Sequence, residues 1–388
     1  MNIYCIMKKI TLRIVTMTEI VIIGIFILVA GVISIEIGII TAIFEILAGI
    51  IATLLIHFKV LHFHNVETIN VLADIGMVSA MYIAGLDIDI DMLQLHFKKS
   101  IIIGLSGFVI PFGVIFFFLH FVLAHFMEIS LNQALLLSII FSATSLSIVS
   151  PTLRKKAGGK LGEREKVILS AAMIGELSAI IVWNVFFTKF SIEIVFFIIG
   201  LFIFSYIFPF LGNRIFSRFK GNIFEFEFRT ILLILLIISV ISENIGTESA
   251  TIAFILGMIT SEVVIGHANL EEKLNAIVFG FFGPIFFFRL GMNIDIINML
   301  RTPQNILLII ILASMGLSST YYGIYLVGRS ISPYIATCAA KLFSSNLTLG
   351  SIIALFGKTT GILTQELFLI ALGVLMIMTI TSAILSKK

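Results

Sequence analysis

Apolar stretches, each about as long as a bilayer core is thick, follow one another from end to end of this chain, and about thirteen are legible between 19–37 and 361–386. In hydrocarbon every backbone N–H and C=O must be satisfied within the segment itself, so stretches of this length cross as helices at 1.5 Å per residue. The expected fold is an all-α polytopic membrane protein with about 13 transmembrane helices. Composition agrees, since 59% of the 388 residues are hydrophobic and 12% charged, too few polar groups for a soluble domain of this size. Cys5 and Cys338 lie far apart and offer neither a disulfide framework nor a Cys/His metal spacing. The phenylalanine clusters Phe116–Phe118 and Phe286–Phe288 read as packing bulk, and no nucleic-acid partner is expected.

Placing alternate loops on alternate sides gathers most of the Lys and Arg on one side, which the positive-inside rule makes cytoplasmic. The N-terminus is then outside and the C-terminus inside an integral membrane protein, with the cell membrane as its expected residence. Lys8, Lys9 and Arg13 run against that orientation, and a start at Met17 instead of Met1 would remove them.

Within this apolar background Glu176 stands alone. No other ionisable side chain lies between Val167 and Phe187, and Glu176 falls roughly 15 Å beyond Lys166, near the bilayer midplane. A carboxylate at that depth costs several kcal/mol unless compensated, which makes it a candidate for handling protons or cations.

The chain also repeats itself. Ile83-Ala-Gly-Leu-Asp-Ile-Asp-Ile90 is echoed by Arg289-Leu-Gly-Met-Asn-Ile-Asp-Ile296, and the same offset of 206 residues carries Ser142–Pro151 onto Thr348–Gly357. The two copies are separated by an odd number of spans and therefore run in opposite directions, as in inverted-repeat transporters. The expected organisation is one transmembrane domain over 1–388, with a first repeat core at about 70–190, middle helices at about 191–266 and a second core at about 274–386. Polar breaks at Ser142–Pro151 and Asn346–Ser351 fit two discontinuous helices at midplane depth, whose free carbonyls and half-helix dipoles suit a small cation. Interhelical hydrogen bonding is the other use of such Ser and Thr clusters.

Six segments in order resemble the monovalent cation:proton antiporter-2 family, the Na+(K+)/H+ exchangers that include Kef-type membrane domains. They are Ile43–Ile50, Leu72–Met77 with Gly85–Asp89, Ser142–Ser147, Ser170–Glu176, Gly283–Phe288 with Gly291, and Gly361–Glu366. The resemblance implies the Na+/H+ antiporter fold, with crossover helices carrying Ser142, Thr144, Ser145, Ser147, Thr348, Gly350 and Ser351. It implies a homodimer, the lipid bilayer as surroundings and no cofactor, Na+ or K+ and H+ being transported. It also makes Glu176 the carrier carboxylate, with Gly175 where relatives place a second polar residue and Thr320 where they often place a lysine. Arg289 then either pairs with Glu176 or reaches outward toward Asp295.

The implied chemistry is exchange of one H+ for one Na+ or K+ at Glu176, the cation also held by oxygens of Thr144, Ser145 and Ser351. A Kef-like gated K+ efflux or channel-type protein is the alternative. Gly104-Leu-Ser-Gly107 spells an intramembrane serine protease motif around Ser106, but no histidine reaches it at matching depth, so no enzyme is expected. His57, His62, His64, His120 and His125 fall on the outer side, His96 and His267 on the inner, and all read as solvated loop residues. The chain ends at Lys388 just after the last span, so a nucleotide-binding domain is expected only on a separate cytosolic regulatory subunit.

Overall fold

Apolar runs with few interior breakers fold as helices, and polar or Gly-rich stretches separate them. The computed structural model describes residues 3–63, 66–156, 161–188, 192–219, 225–266 and 268–387. Its helices begin with α1 (Ile3–Ile37), α2 (Thr41–His57), α3 (Val66–Leu86), α4 (Ile90–Leu95) and α5 (Phe97–Phe117). They continue through α6 (Leu131–Ser142), α7 (Leu146–Lys156), α8 (Glu163–Phe187), α9 (Ile192–Phe219), α10 (Phe226–Ile245) and α11 (Ser249–Ile265). The last are α12 (Ala268–Ile277), α13 (Gly283–Met292), α14 (Ile296–Arg301), α15 (Pro303–Gly328), α16 (Pro333–Leu342), α17 (Leu347–Thr359) and α18 (Gln365–Lys387).

The expected first span, 19–37, falls on helix, and the last, 361–386, is helical from Gln365. Among the described residues nine helical segments are long and apolar enough to cross a membrane, ten if α16 and α17, bent by 42°, form one span. That is fewer than the thirteen read from sequence: α2 and α11 are shorter apolar helices, and α10 is not among these segments. His64, His267 and the side chains of Lys8, Lys9 and Arg13 lie outside the described residues.

The chain divides into two compact units, Met1–Ala80 with Asn275–Arg301, and Met81–Leu274 with Thr302–Lys388. In the first unit α2 crosses α13 with backbones in contact. A Cβ on Gly49 would stand 2.0 Å from the Phe288 carbonyl, and one on Gly291 would stand 2.1 Å from that of Ile46. Thr53 Oγ1 ties the crossing by donating to Gly49 O at 3.2 Å or Met292 O at 3.1 Å. Lipid is as apolar as leucine, so close backbone approach and interhelical hydrogen bonds hold such helices together where the hydrophobic effect cannot. Ile23, Ala30, Ala48, Ala52, Ile69 and Phe288 form a buried hydrophobic cluster in this unit.

In the second unit α5 packs against α8 and α15, and α6 against α8 and α17. Gly104 makes the first of these contacts: its missing side chain admits the Ala171 carbonyl, which would lie 2.4 Å from a Cβ. Ser106 Oγ donates to Ile103 O in its own helix at 2.9 Å. The Gly104–Gly107 motif is thus helix packing and holds no nucleophile poised for chemistry. The span Leu131–Lys156 is 83% buried, against 17% for Met17–Ile37 and 18% for Ile192–Gly212, so the broken helix is wrapped by protein while α1 and α9 present apolar flanks.

Candidate functional site

The first break is three residues long. α6 starts from a capping box, with Ser130 Oγ accepting from Gln133 N at 3.3 Å and Gln133 Oε1 from Ser130 N at 2.9 Å. Along it the hydroxyls of Ser138 and Ser142 donate back to Ala134 O and Ser138 O at 2.6 and 2.7 Å. Such back-bonding competes with the helix ladder, and after Ser142 the backbone turns extended at Ala143, with φ −59° and ψ 150°. Helix resumes at Leu146. The second break separates α16 from α17 at Phe343–Asn346.

Both breaks are shorter and lie further upstream than the polar stretches 142–151 and 346–351 suggest. Ser147, Thr348, Gly350 and Ser351 are helical. Their hydroxyls find partners without unwinding: Ser351 Oγ donates to Thr348 O at 3.0 Å, and Ser147 Oγ lies 3.0 Å from Thr348 Oγ1. The second contact joins α7 to α17, and Ser145 Oγ extends it at 3.0 Å from Ser147 Oγ.

Glu176 sits midway along α8, only 1% exposed. Its Oε2 accepts from the backbone N–H of Leu146 at 2.9 Å, one of the donors that the start of α7 leaves without an intrahelical partner. The carboxylate therefore meets the positive end of a half-helix, where a negative charge is favoured. Beside it Gly175 leaves room for Thr144, whose Oγ1 would lie 3.2 Å from a Cβ at position 175. That hydroxyl is fully buried and has no hydrogen-bond partner. Glu176, Thr144, Ser145, Ser147 and Thr348 are thus brought together around the break, with the fully buried Ser351 one turn further along α17.

Three groups escaped the sequence reading. The Leu146 N–H is invisible in any side-chain pattern. Asn346, noticed only as the start of a polar stretch, is fully buried and donates through Nδ2 to Ile140 O at 3.1 Å or Phe141 O at 3.2 Å, at the end of α6. Asp87, quoted above within a repeated segment, lies just past the end of α3, part-buried and close enough for its charge to act on Glu176. Burial pushes its carboxyl up to about 7, while Arg154 pulls it down and Glu271 pushes it further up. A midplane search by sequence depth could not find it, because it stands at a helix end.

Arg289 belongs to the first unit. Its Nε donates to Asn70 Oδ1 and its Nη1 to Asn293 Oδ1 at 3.2 Å, and the charge of Asp74 acts on it. The part-buried guanidinium is therefore hydrogen-bonded within its own unit.

A buried carboxylate facing a half-helix at a protein-wrapped break defines a class, the secondary active cation/proton exchangers, which are transporters and not enzymes. Residues 22–387 match the family described as "Sodium/hydrogen exchanger, transmembrane". The chain belongs to that family. It is 29% identical over 80% of its length to "Probable Na(+)/H(+) antiporter 3" of Methanocaldococcus jannaschii, covering 81% of that protein. It is 24% identical over 78% of its length to "Na(+)/H(+)-K(+) antiporter GerN" of Bacillus cereus, covering 79% of it. The solved structure of the sodium proton antiporter MjNhaP1 from Methanocaldococcus jannaschii at pH 8 shares the fold, with a TM-score of 0.67 at 13% identity over 96% of this chain and 99% of that one.

Proposed function

We propose that this chain exchanges one H+ for one Na+ or K+ by alternating access, with Glu176 as the shared carboxylate. The observation that carries the reading is Glu176 itself, buried at a helix break with the unpartnered hydroxyl of Thr144 beside it. Proton and cation compete for one negative charge, so each leaves when the other arrives, and the two species cross in opposite directions. The cation is held by the Glu176 carboxylate and oxygens of Thr144, Ser145 and Ser351, a hard-oxygen set suited to an alkali ion. Gly175 supplies no second charge, and the Thr144 hydroxyl fills the space a second side chain would take. Exchange of one proton for one monovalent cation at Glu176 makes the cycle electroneutral. Arg289 is hydrogen-bonded to Asn70 and Asn293 within the first unit.

The finer assignment is the cation:proton antiporter-2 branch, supported by the six matching segments. The inverted-repeat cores at about 70–190 and 274–386 gain support from α4 and α14, six-residue helices that follow the two copies of the repeated segment at the same offset. We place the chain as a homodimer in the cell membrane, N-terminus out and C-terminus in. The ions are substrates, and no cofactor enters the cycle. Proteoliposomes loaded to carry a pH gradient test the whole reading: addition of Na+, K+ or Li+ outside is expected to dissipate it, and a gradient that no monovalent cation dissipates would overturn it.

A further inference from the structure

We infer that Asn346 is a positioning residue for the exchange site, tying the first helix break to the second so that the oxygens around Glu176 are presented together. This rests on the exchange reading above and adds a residue that does not touch the ion.

The first break has two edges, and both are held from the second. At the upstream edge α6 leaves its last carbonyls without helical donors, and Asn346 Nδ2 stands 3.1 Å from Ile140 O and 3.2 Å from Phe141 O. An amide here answers the negative end of α6 as Glu176 answers the positive end of α7, with no charge of its own. At the downstream edge Ser145 N donates to Ser345 O at 2.9 Å, and Leu146 N then donates to Glu176. Adjacent residues of the second break thus grip the residues on either side of Thr144. Gly350 keeps this approach close, since a Cβ there would lie 2.7 Å from Leu375 Cδ2 and 3.2 Å from Ile140 O.

The amide is bonded on one side only. Nδ2 has the two carbonyls, and Met378 Sδ at 3.9 Å, but Oδ1 is fully buried with no hydrogen-bond partner. A group that served only to fill the crossing would be cheaper as leucine, which has nearly the same size and no buried orphan oxygen. What asparagine adds is the donor. If it is lost, the end of α6 is free to shift, and with it Ala143, Thr144 and the N–H that faces Glu176.

Two measurements on the full-length protein in detergent or proteoliposomes test this. Asn346→Ser is smaller than the native residue and is expected to fold. It should speed amide hydrogen exchange at Ala143, Ser145 and Leu146 by about tenfold and raise the cation KM by about tenfold, with the maximal rate within about twofold. Asn346→Leu, isosteric but without a donor, should do the same or more; if it does not fold, the serine variant decides. Amide exchange at the first break unchanged by Asn346→Ser would overturn the inference, and so would a fall in rate at constant KM, which a merely structural role predicts. If the native protein exchanges no cation, the functional reading fails while the amide measurement still decides whether Asn346 holds the break.

Discussion

The carboxylate of Glu176 accepts a 2.9 Å hydrogen bond from the backbone N–H of Leu146, thirty residues earlier in the chain. An acid in the middle of one helix thereby caps the beginning of another. The bond makes the carboxylate sensitive to the position of α7, and makes α7 sensitive to what the carboxylate binds. A cation or proton on Oε2 competes with the N–H for the same lone pairs, so occupancy and the geometry of the break are linked.

Glu176→Gln keeps the shape and an oxygen able to accept from Leu146 N, but removes the charge. The variant is expected to fold with a melting temperature near that of the native protein, and to lose pH-gradient-driven cation flux by about a hundredfold or more. Fluorescence dequenching in proteoliposomes measures the flux, and retained exchange would remove Glu176 from the mechanism.

If Glu176 alone carries the exchanged charge, the exchange rate should ignore membrane voltage. A potassium diffusion potential set with valinomycin, with Na+ as the exchanged ion, is expected to leave the initial rate unchanged. A rate that accelerates with potential, or a measurable transport current, would require a second charge to move, and Asp87 would be the first residue to examine.

Gly175→Ala places a methyl 3.2 Å from Thr144 Oγ1, a contact tight enough to displace the hydroxyl. Helix propensity favours alanine by about 1 kcal/mol, so stability should change little while the cation KM rises several-fold. Adding Thr144→Ala relieves the crowding without restoring affinity, because the oxygen is gone. Native affinity in the double variant would argue that Thr144 does not ligate the ion.

Asp87 is held with its carboxyl raised to about 7 by burial. For an acid so raised, the folded state favours the protonated form: its contribution is intact below the unfolded value of 3.8 and is lost as pH rises toward 7. Asp87→Asn should therefore stabilise the protein at pH 8 and leave it unchanged near pH 3.5. The gain is at most about 4 kcal/mol, less where water screens the part-buried side chain. Thermal unfolding at the two pH values checks the sign.

Arg289→Ala leaves the acceptor oxygens of Asn70 and Asn293 without their cationic donor. A loss of about 1–3 kcal/mol in stability is expected. Denaturant titration of the purified variant measures it, and a change within about 0.5 kcal/mol would show that these hydrogen bonds carry no net weight.

Much of this protein was legible before any coordinates. Apolar stretches of bilayer length dictate helices because hydrocarbon tolerates no unpaired backbone, and an isolated Glu176 announces a site because a charge so placed needs a reason. The repeated segment pointed to two copies of one plan, and the Ser/Thr clusters gave the neighbourhood of both breaks. Their exact extents were beyond reach, since Ser147, Thr348 and Ser351 are polar yet helical: Ser351 bonds back within its own helix, and the hydroxyls of Ser147 and Thr348 meet each other only on folding.

What the tertiary structure alone decided is how charge and orphan backbone groups are matched. No periodicity reveals that Leu146 N–H faces Glu176, that Thr144 fills the space beside Gly175, or that Asn346 reaches the end of α6 from a segment 206 residues away. Local sequence sets which backbone groups a broken helix leaves free; which side chains come to meet them depends on helices crossing in three dimensions, and that pairing is what makes a buried acid a candidate site.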